Sequence, residues 1–238
     1  MSTLVLVRHG QSRQFHDGGH GLTALGRQQA EALGRHWVAR DVRVDEVHTG
    51  MLPRQIESER CVQRIFEEAG KPWPEPVRHE GWNEYDASAL SSRLMPVLVE
   101  RDASFRALVH DLEAHRDAPD RNRYFQRMFE VLIDRWVEGT TITEGLESFA
   151  QFHARVLAAR QGILDGPSGR AVAVFTSGGP IGVCVQAALD APPASALRVN
   201  WRVKNGSLTE FTFSRDRLSL DGFNATAHLE PDGLVTYR

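Results

Sequence analysis

The chain alternates short apolar runs with stretches of helical period. Leu4–Val7 is a continuous run of branched aliphatics, stopped abruptly by Arg8, His9 and Gly10, and it predicts a buried strand. A loop containing Gly, His and Gln follows through Gly21. Thr23 then offers a helix cap, with Leu25, Ala32, Leu33 and Trp37 as the apolar face behind it. Val42–Thr49 holds a second strand, followed by Gly50 and Pro53. A helix is expected from near Arg54, with Val62, Ile65, Phe66 and Ala69 on one face and Gly70 ending it. Lys71–Val77 carries three prolines and reads as a connection. From Leu90 to about Leu164 the pattern is helical and heavily charged, and Gly139 and Gly145 bracket a break. Leu90–Gly139 is read as a helical insertion and Leu146–Leu164 as a helix returning to the main fold. Ala171–Thr176 is the clearest buried strand. The Ser177-Gly178-Gly179-Pro180 turn opens another helix, with proline in its first turn. Ser207–Phe213 and Leu218–Leu220 alternate like a hairpin.

Strands separated by long helical crossovers imply an α/β fold. The expected form is a three-layer sandwich, a mostly parallel sheet with helices on both faces, plus a helical insertion. The 238 residues fit one domain, 1–238, with the insertion at about 90–139 inside it. Ligands of open sheets bind beyond the carboxyl ends of the strands. That rule gathers Arg8 and His9, Arg54, and Ser177 along one edge, although they are far apart in sequence.

Charge narrows the chemistry. A net charge of -3, with 25% charged and 41% hydrophobic residues, gives no global basic field for nucleic acid or an anionic membrane. An anion site must therefore be local. No run is long enough to span a bilayer, nothing at the start resembles a signal peptide, and a cytoplasmic location is the default expectation. Cys61 and Cys184 lie in helix-like apolar patterns and read as buried thiols rather than a disulfide.

Two arginines with a histidine make an anion site. Arginine presents a permanently charged planar fork that matches phosphate. The turn at Ser177 and Gly178 adds backbone N–H groups and a helix N-terminus. A neutral imidazole is also a good nucleophile toward phosphorus, and neighbouring arginines disfavour its charged form. A leaving alkoxide needs a proton. The segment "GWNEYD" offers Glu84 and Asp86 beside Trp82 and Tyr85, where an apolar setting could keep a carboxyl protonated. No metal or other cofactor is expected. His16 and His20 are four apart, but in a Gly-rich loop, and no HExxH or paired CxxC occurs.

"LVLVRHGQS" followed by "LTALGRQQAEALG" resembles the opening of the histidine phosphatase superfamily, the phosphoglycerate mutase-like group. "VHTGMLPRQIESE" is similar to that family's second arginine segment, falling on Arg54, and "EGWNEYD" to its acid segment, falling on Glu84. "TEGLESFAQFHARV" resembles a further family helix, placing Glu147 and Arg155. "VFTSGGPIG" and the terminal "NGSLTEFTF" are similar to its late strand-turn-helix and hairpin. The resemblance implies His9 as a transient phosphohistidine, Arg8 and Arg54 as clamps, and Glu84 as general acid and then base. It implies that Gly10 accepts a hydrogen bond from the second imidazole nitrogen. Arg8, Gly10, Ser12, Arg54, Ser177 and Gly178 would line the phosphate, and the substrate would be a small phosphorylated molecule.

The sequence also departs from the family. Ser177 stands where the family usually has a second histidine, with His228 and His79 as candidate replacement cations. Gln55 follows Arg54 where the family often has a small residue. Phe15 or His16 is near the place of an asparagine typical of the mutases, which favours hydrolysis. The expected activity is therefore metal-independent hydrolysis of a phosphomonoester. Three alternatives stand beside it: a phosphate-binding pseudoenzyme with the insertion as partner surface, a phosphomutase, and an ester hydrolase built on Ser177, Asp221 and His228. In the insertion, Arg93, Arg101, Arg106, Arg121, Arg123 and Arg127 read as a solvated helix face. Tyr124, Phe125, Phe129 and Trp136 read as core or as a homodimer contact.

Overall fold

The opening apolar run becomes an interior strand of the sheet. In the computed structural model, which describes residues 1–12, 21–141 and 143–237, the elements follow the pattern closely. They are β1 (Ser2–Arg8), α1 (Ala24–Ala39), β2 (Glu46–Thr49), α2 (Pro53–Glu68), β3 (Val77–Arg78), α3 (Ala87–Ala89), α4 (Met95–Arg101), α5 (Ala103–Ala114) and α6 (Arg121–Glu138). Then come α7 (Phe149–Leu164), β4 (Ala171–Thr176), α8 (Gly178–Ala188), α9 (Ser195–Asn200), β5 (Leu208–Ser214) and β6 (Arg217–Ala225). Phe15, His16 and His20 lie outside the described residues.

The chain forms two compact units, Met1–Glu84 with Arg155–Arg238, and Tyr85–Ala154. The first holds a six-stranded sheet in the order β3-β2-β4-β1-β5-β6. β1 runs parallel to β4, and β2 runs parallel to β4 and β3, while β5 and β6 join antiparallel. One face buries Val7, Val47, Ala173, Phe175 and Leu208 against Leu33 and Trp37 of α1 and Val62 and Phe66 of α2. The alternate strand residues Leu4, Leu6, Val172 and Val174 are buried too, and α8 packs on β1 with Gly178–Gln186 wholly buried. Alternation of this kind requires both faces of the sheet to be covered.

The second strand is shorter than the Val42–Thr49 run. Val42 and Val44 lie at the margin of the core below β2 rather than in the ladder. The late helix starts at Phe149 rather than Leu146, because Ser148 exchanges hydrogen bonds with Gln151 (2.8 and 3.2 Å) as a helix start does. Cys61 and Cys184 are free and buried, and burial pushes their thiols up to about 11 and about 12.

The helical unit is wider than the 90–139 span. Its interior is built from Leu90, Leu94, Leu98, Phe105, Met128, Phe129, Leu132, Ile133 and Trp136, with Tyr85 tilted against Trp136 and edge-on to Phe152. Tyr85 and Phe152 come from outside the predicted span, since the apolar core needs residues from both flanks. Gly139 (φ 64°) and Gly145 (φ 69°) take the left-handed conformation that ends α6 and turns the chain. Arg93, Arg101, Arg106, Arg123 and Arg127 are exposed. Arg106 and Arg93 donate to backbone carbonyls, at Val99 and Glu100 and at Gly145.

The start of α1 rests directly on the segment after β1. Thr23 caps the helix by accepting the Gly26 N–H at 3.0 Å. A methyl on Gly26 would run into the Gln11 carbonyl, and one on Gly10 into the carbonyl of Gly26. Gly26→Ala should therefore destabilise the protein by about 1–3 kcal/mol. Gly162→Ala, in α7 with open space around it, should stabilise it by about 0.5–1 kcal/mol. Thermal melts of both variants check this, and equal shifts in the same direction would disprove the close α1–β1 contact.

Candidate active site

Arg8 and His9 are held at the carboxyl end of β1 by backbone bonds to both neighbours. The His9 N–H donates to Thr176 O at 2.9 Å and the Arg8 N–H to Ser207 O at 3.0 Å, while His9 O accepts the Gly206 N–H at 3.2 Å. Both side chains are nearly buried, at 6% and 5% exposure. His9 Nδ1 lies 2.7 Å from Gly10 O. Arg54 Nε, from the first turn of α2, lies 3.2 Å from His9 Nε2. A carbonyl only accepts, so Nδ1 carries the hydrogen. A guanidinium Nε only donates, so Nε2 carries a lone pair. Two independent partners thus specify the same neutral tautomer, with the hydrogen on Nδ1 and the lone pair of Nε2 turned toward Arg54.

The neighbours of this pair are fixed in turn. The Gly10 N–H donates to Ser58 Oγ at 3.0 Å, and Ser58 Oγ donates to Arg54 O at 2.8 Å. Ser58 sits one turn after Arg54 and links the His9 loop to α2. Gly10 therefore contributes its carbonyl to His9 and spends its N–H on Ser58. Burial lowers the pKa of Arg54, and the charge of Glu84 acts in the opposite direction. Arg8 Nη1 donates to Val203 O. Ser12 forms an isolated bridge with Leu22.

Glu84 reaches the site through an unusually tied loop. His79 caps a single 3₁₀ turn, Glu80–Trp82, accepting the Gly81 N–H at 2.9 Å. The Arg155 guanidinium, from α7, donates to the carbonyls of Glu80 (3.2 Å), Gly81 (3.2 Å), Asn83 (2.8 Å) and Glu84 (3.4 Å). The Glu84 carboxylate accepts the Gly179 N–H, both oxygens at 3.1 Å. It therefore sits on the N-terminus of α8, where the helix dipole favours negative charge. Asp86, the other acid candidate, is engaged elsewhere as the cap of α3, accepting the Ala89 N–H at 2.9 Å.

Ser177 is completely buried, and its Oγ receives a hydrogen bond from Gln55 Nε2 at 2.8 Å. Of the two candidate replacement cations, His228 is held uncharged and His79 caps a turn. Burial pushes His228 down to about 4, and its Nε2 bonds Gly206 O at 2.9 Å. His79 is an exposed turn cap. The Ser177 hydrolase constellation is not assembled either, because Asp221 accepts from Thr212 Oγ1 at 2.6 Å and Ser177 is bonded to Gln55.

Sequence reasoning missed Ser58, and it missed Ser207, whose buried Oγ has no hydrogen-bond partner among the described residues and which neighbours Arg8 in the ladder. The signal for Ser58 was available. Gln55, Ser58 and Glu59 are polar, yet share the buried side of α2 with Val62 and Phe66. Polar residues on a core-facing stripe mark a network.

The model for the histidine phosphatase superfamily (branch 1) matches residues 4–130 and 117–226. A 2,3-bisphosphoglycerate-dependent phosphoglycerate mutase of Brucella ovis is 37% identical over 95 residues, covering 37% of this chain and 45% of the relative. The chain thus spans less than half the length of the curated relatives it matches. Among solved structures, Bacillus stearothermophilus YhfR superposes with a TM-score of 0.65 at 19% identity, over 96% of this chain and 100% of that one. A phosphoserine phosphatase of Entamoeba histolytica superposes with 0.62 at 16% identity, over 96% and 100%. The two solved structures share the fold, and the family match runs from β1 to the end of the last strand. On that match the chain belongs to the histidine phosphatase superfamily.

Proposed function

We propose that this protein is a metal-independent phosphatase of a small phosphomonoester, working through a phosphohistidine on His9. The observation that carries the reading is the doubly specified tautomer of His9. An imidazole with its hydrogen held on Nδ1 and its lone pair at Nε2, against a guanidinium, is prepared for attack on an anionic phosphorus centre.

In the first step Nε2 attacks phosphorus and the P–O bond to the leaving group breaks. Arg54 and Arg8 stabilise the equatorial oxygens, and protonated Glu84 gives its proton to the leaving oxygen. In the second step Glu84, now ionised, takes a proton from water as the water oxygen attacks phosphorus. The P–N bond breaks, returning neutral His9 and inorganic phosphate. Hydrolysis of a generic aryl phosphate in the presence of EDTA should be measurable. His9→Ala should lower it by about 10³-fold or more. Turnover that survives His9→Ala would disprove the mechanism. Absence of turnover in the unaltered protein across acidic and neutral pH would favour a phosphate-binding pseudoenzyme.

The backbone tie at His9 also sets an acid limit. The Gly206 N–H donates to His9 O and the Gly206 carbonyl accepts from His228 Nε2, so the buried His228 ring braces the residue that holds His9. His36, with its ring 5.6 Å away, is lowered as well, by burial and then by Arg40. The folded-state value of His228, about 4, lies below the ordinary 6.5. The folded protein therefore binds fewer protons than the unfolded chain between those values, and stability falls as pH drops through that window. The loss approaches about 3 kcal/mol at its acid end. His228→Gln, which keeps a donor for Gly206, should flatten the fall in melting temperature between pH 6.5 and 4. An acid limb identical to that of the unaltered protein would disprove the role.

A further inference from the structure

Gln55 and Ser177 are both fully buried and joined by a hydrogen bond within the site. The amide of Gln55 has only one workable orientation. Its Nε2 donates to Trp82 O at 2.9 Å and to Ser177 Oγ at 2.8 Å, while its Oε1 accepts the Leu52 N–H at 3.2 Å. Flipping the amide would set oxygen against the Trp82 carbonyl and N–H against the Leu52 N–H. Ser177 Oγ is therefore the acceptor in its bond with Gln55.

The hydroxyl still has its own hydrogen, and no acceptor among the described residues takes it. A buried donor with no acceptor is costly and calls for an explanation. The position sharpens the question. Ser177 is the N-cap of α8, where a serine ordinarily accepts an N–H from the first turn. Here its side chain makes no cap bond, and the Gly179 N–H goes to Glu84 instead. Ser177 is thus released from the usual duty of its position, fixed as an acceptor toward Gln55, and left with a hydrogen to give. The group that would take it is an oxygen arriving at the N-terminus of α8.

We propose that Gln55 is a positioning residue that fills the acceptor side of Ser177 and so commits its hydroxyl to donate to a bound phosphoryl oxygen. The inference rests on the phosphate chemistry proposed above. It gives the pair a neutral, pre-aimed donor where the family resemblance expects an imidazole. It also accounts for a long side chain directly after Arg54, since a small residue there could not reach Ser177.

The test is a double-mutant cycle of Gln55→Met and Ser177→Ala. It is read by titration calorimetry with inorganic phosphate, by kcat/KM on an aryl phosphate, and by melting temperature. Each single variant should weaken phosphate binding about 10-fold. The double variant should bind no more weakly than Ser177→Ala alone, while the melting-temperature loss from Gln55→Met persists in the Ser177→Ala background. Additive losses in binding would show that Gln55 acts independently of Ser177 and overturn the proposal. So would unchanged phosphate affinity in Ser177→Ala, a variant that tests the idea even if Gln55→Met fails to fold. The predicted coupling in a protein that binds phosphate but does not hydrolyse the aryl phosphate would uphold this inference and remove the phosphatase reading.

Discussion

The hydrogen bond from His9 Nδ1 to the Gly10 carbonyl is the interaction on which the rest of the site depends. At 2.7 Å it holds the imidazole hydrogen on the side away from Arg54 and turns the Nε2 lone pair toward the Arg54 Nε–H. It works only if the Gly10 peptide is correctly oriented, and Ser58 secures that by accepting the Gly10 N–H. Ser58 in turn bonds Arg54 O, so the segment that orients the histidine also positions the guanidinium facing it. The close approach of Gly10 and Gly26 brings the start of α1 against the same loop. One geometric requirement, a peptide carbonyl turned back toward its neighbour's ring, therefore reaches into both helices on that face of the sheet.

The electrostatics are equally local. Arg8, Arg54 and the N-terminus of α8 all present positive charge or dipole, and Glu84 is the anion set among them. A protein with net charge -3 can still hold phosphate if its cations converge at one strand edge, because short-range hydrogen bonds to a desolvated anion outweigh the screened field of distant charges. Arg155 supports Glu84 through the backbone of the acid loop. Its guanidinium donates to four carbonyls of that loop and so braces the segment that carries Glu84.

Much of this was legible in the sequence, for identifiable reasons. β1 and β4 are short, apolar and branched, and their ends fall where Arg8 and Thr176 interrupt the run, so the rule placing ligands at strand carboxyl ends gathers His9, Arg54 and Ser177 along one edge, and the structure sets Arg54 against His9. Thr23 and Gly139 were readable because caps and left-handed turns restrict residue type. What was not legible depends on long-range partners. No spacing rule announces that Arg155 would collect carbonyls from more than seventy residues upstream, or that His228 would be buried uncharged against Gly206. Within the Val42–Thr49 run the pattern does not say where the strand starts, because Val42 and Val44 are as apolar as ladder residues but pack against the core outside β2.

Gln55 shows why such partners matter for chemistry. Burying an amide and a hydroxyl together stabilises the fold only if nearly all their hydrogen-bonding capacity is met, and here Gln55 is satisfied while Ser177 keeps one hydrogen unspent. An apolar pair of similar volume would pack without that residual cost. The same amide ties together the start of α2, the acid loop through Trp82, and the turn before α8, and Thr176 Oγ1 reaches the same Trp82 carbonyl at 2.7 Å. The three segments that carry Arg54, Glu84 and Ser177 are therefore held in mutual register by one side chain. In the reading proposed above, a network that joins those segments and leaves the Ser177 hydrogen unpaired among the described residues is arranged for a ligand oxygen.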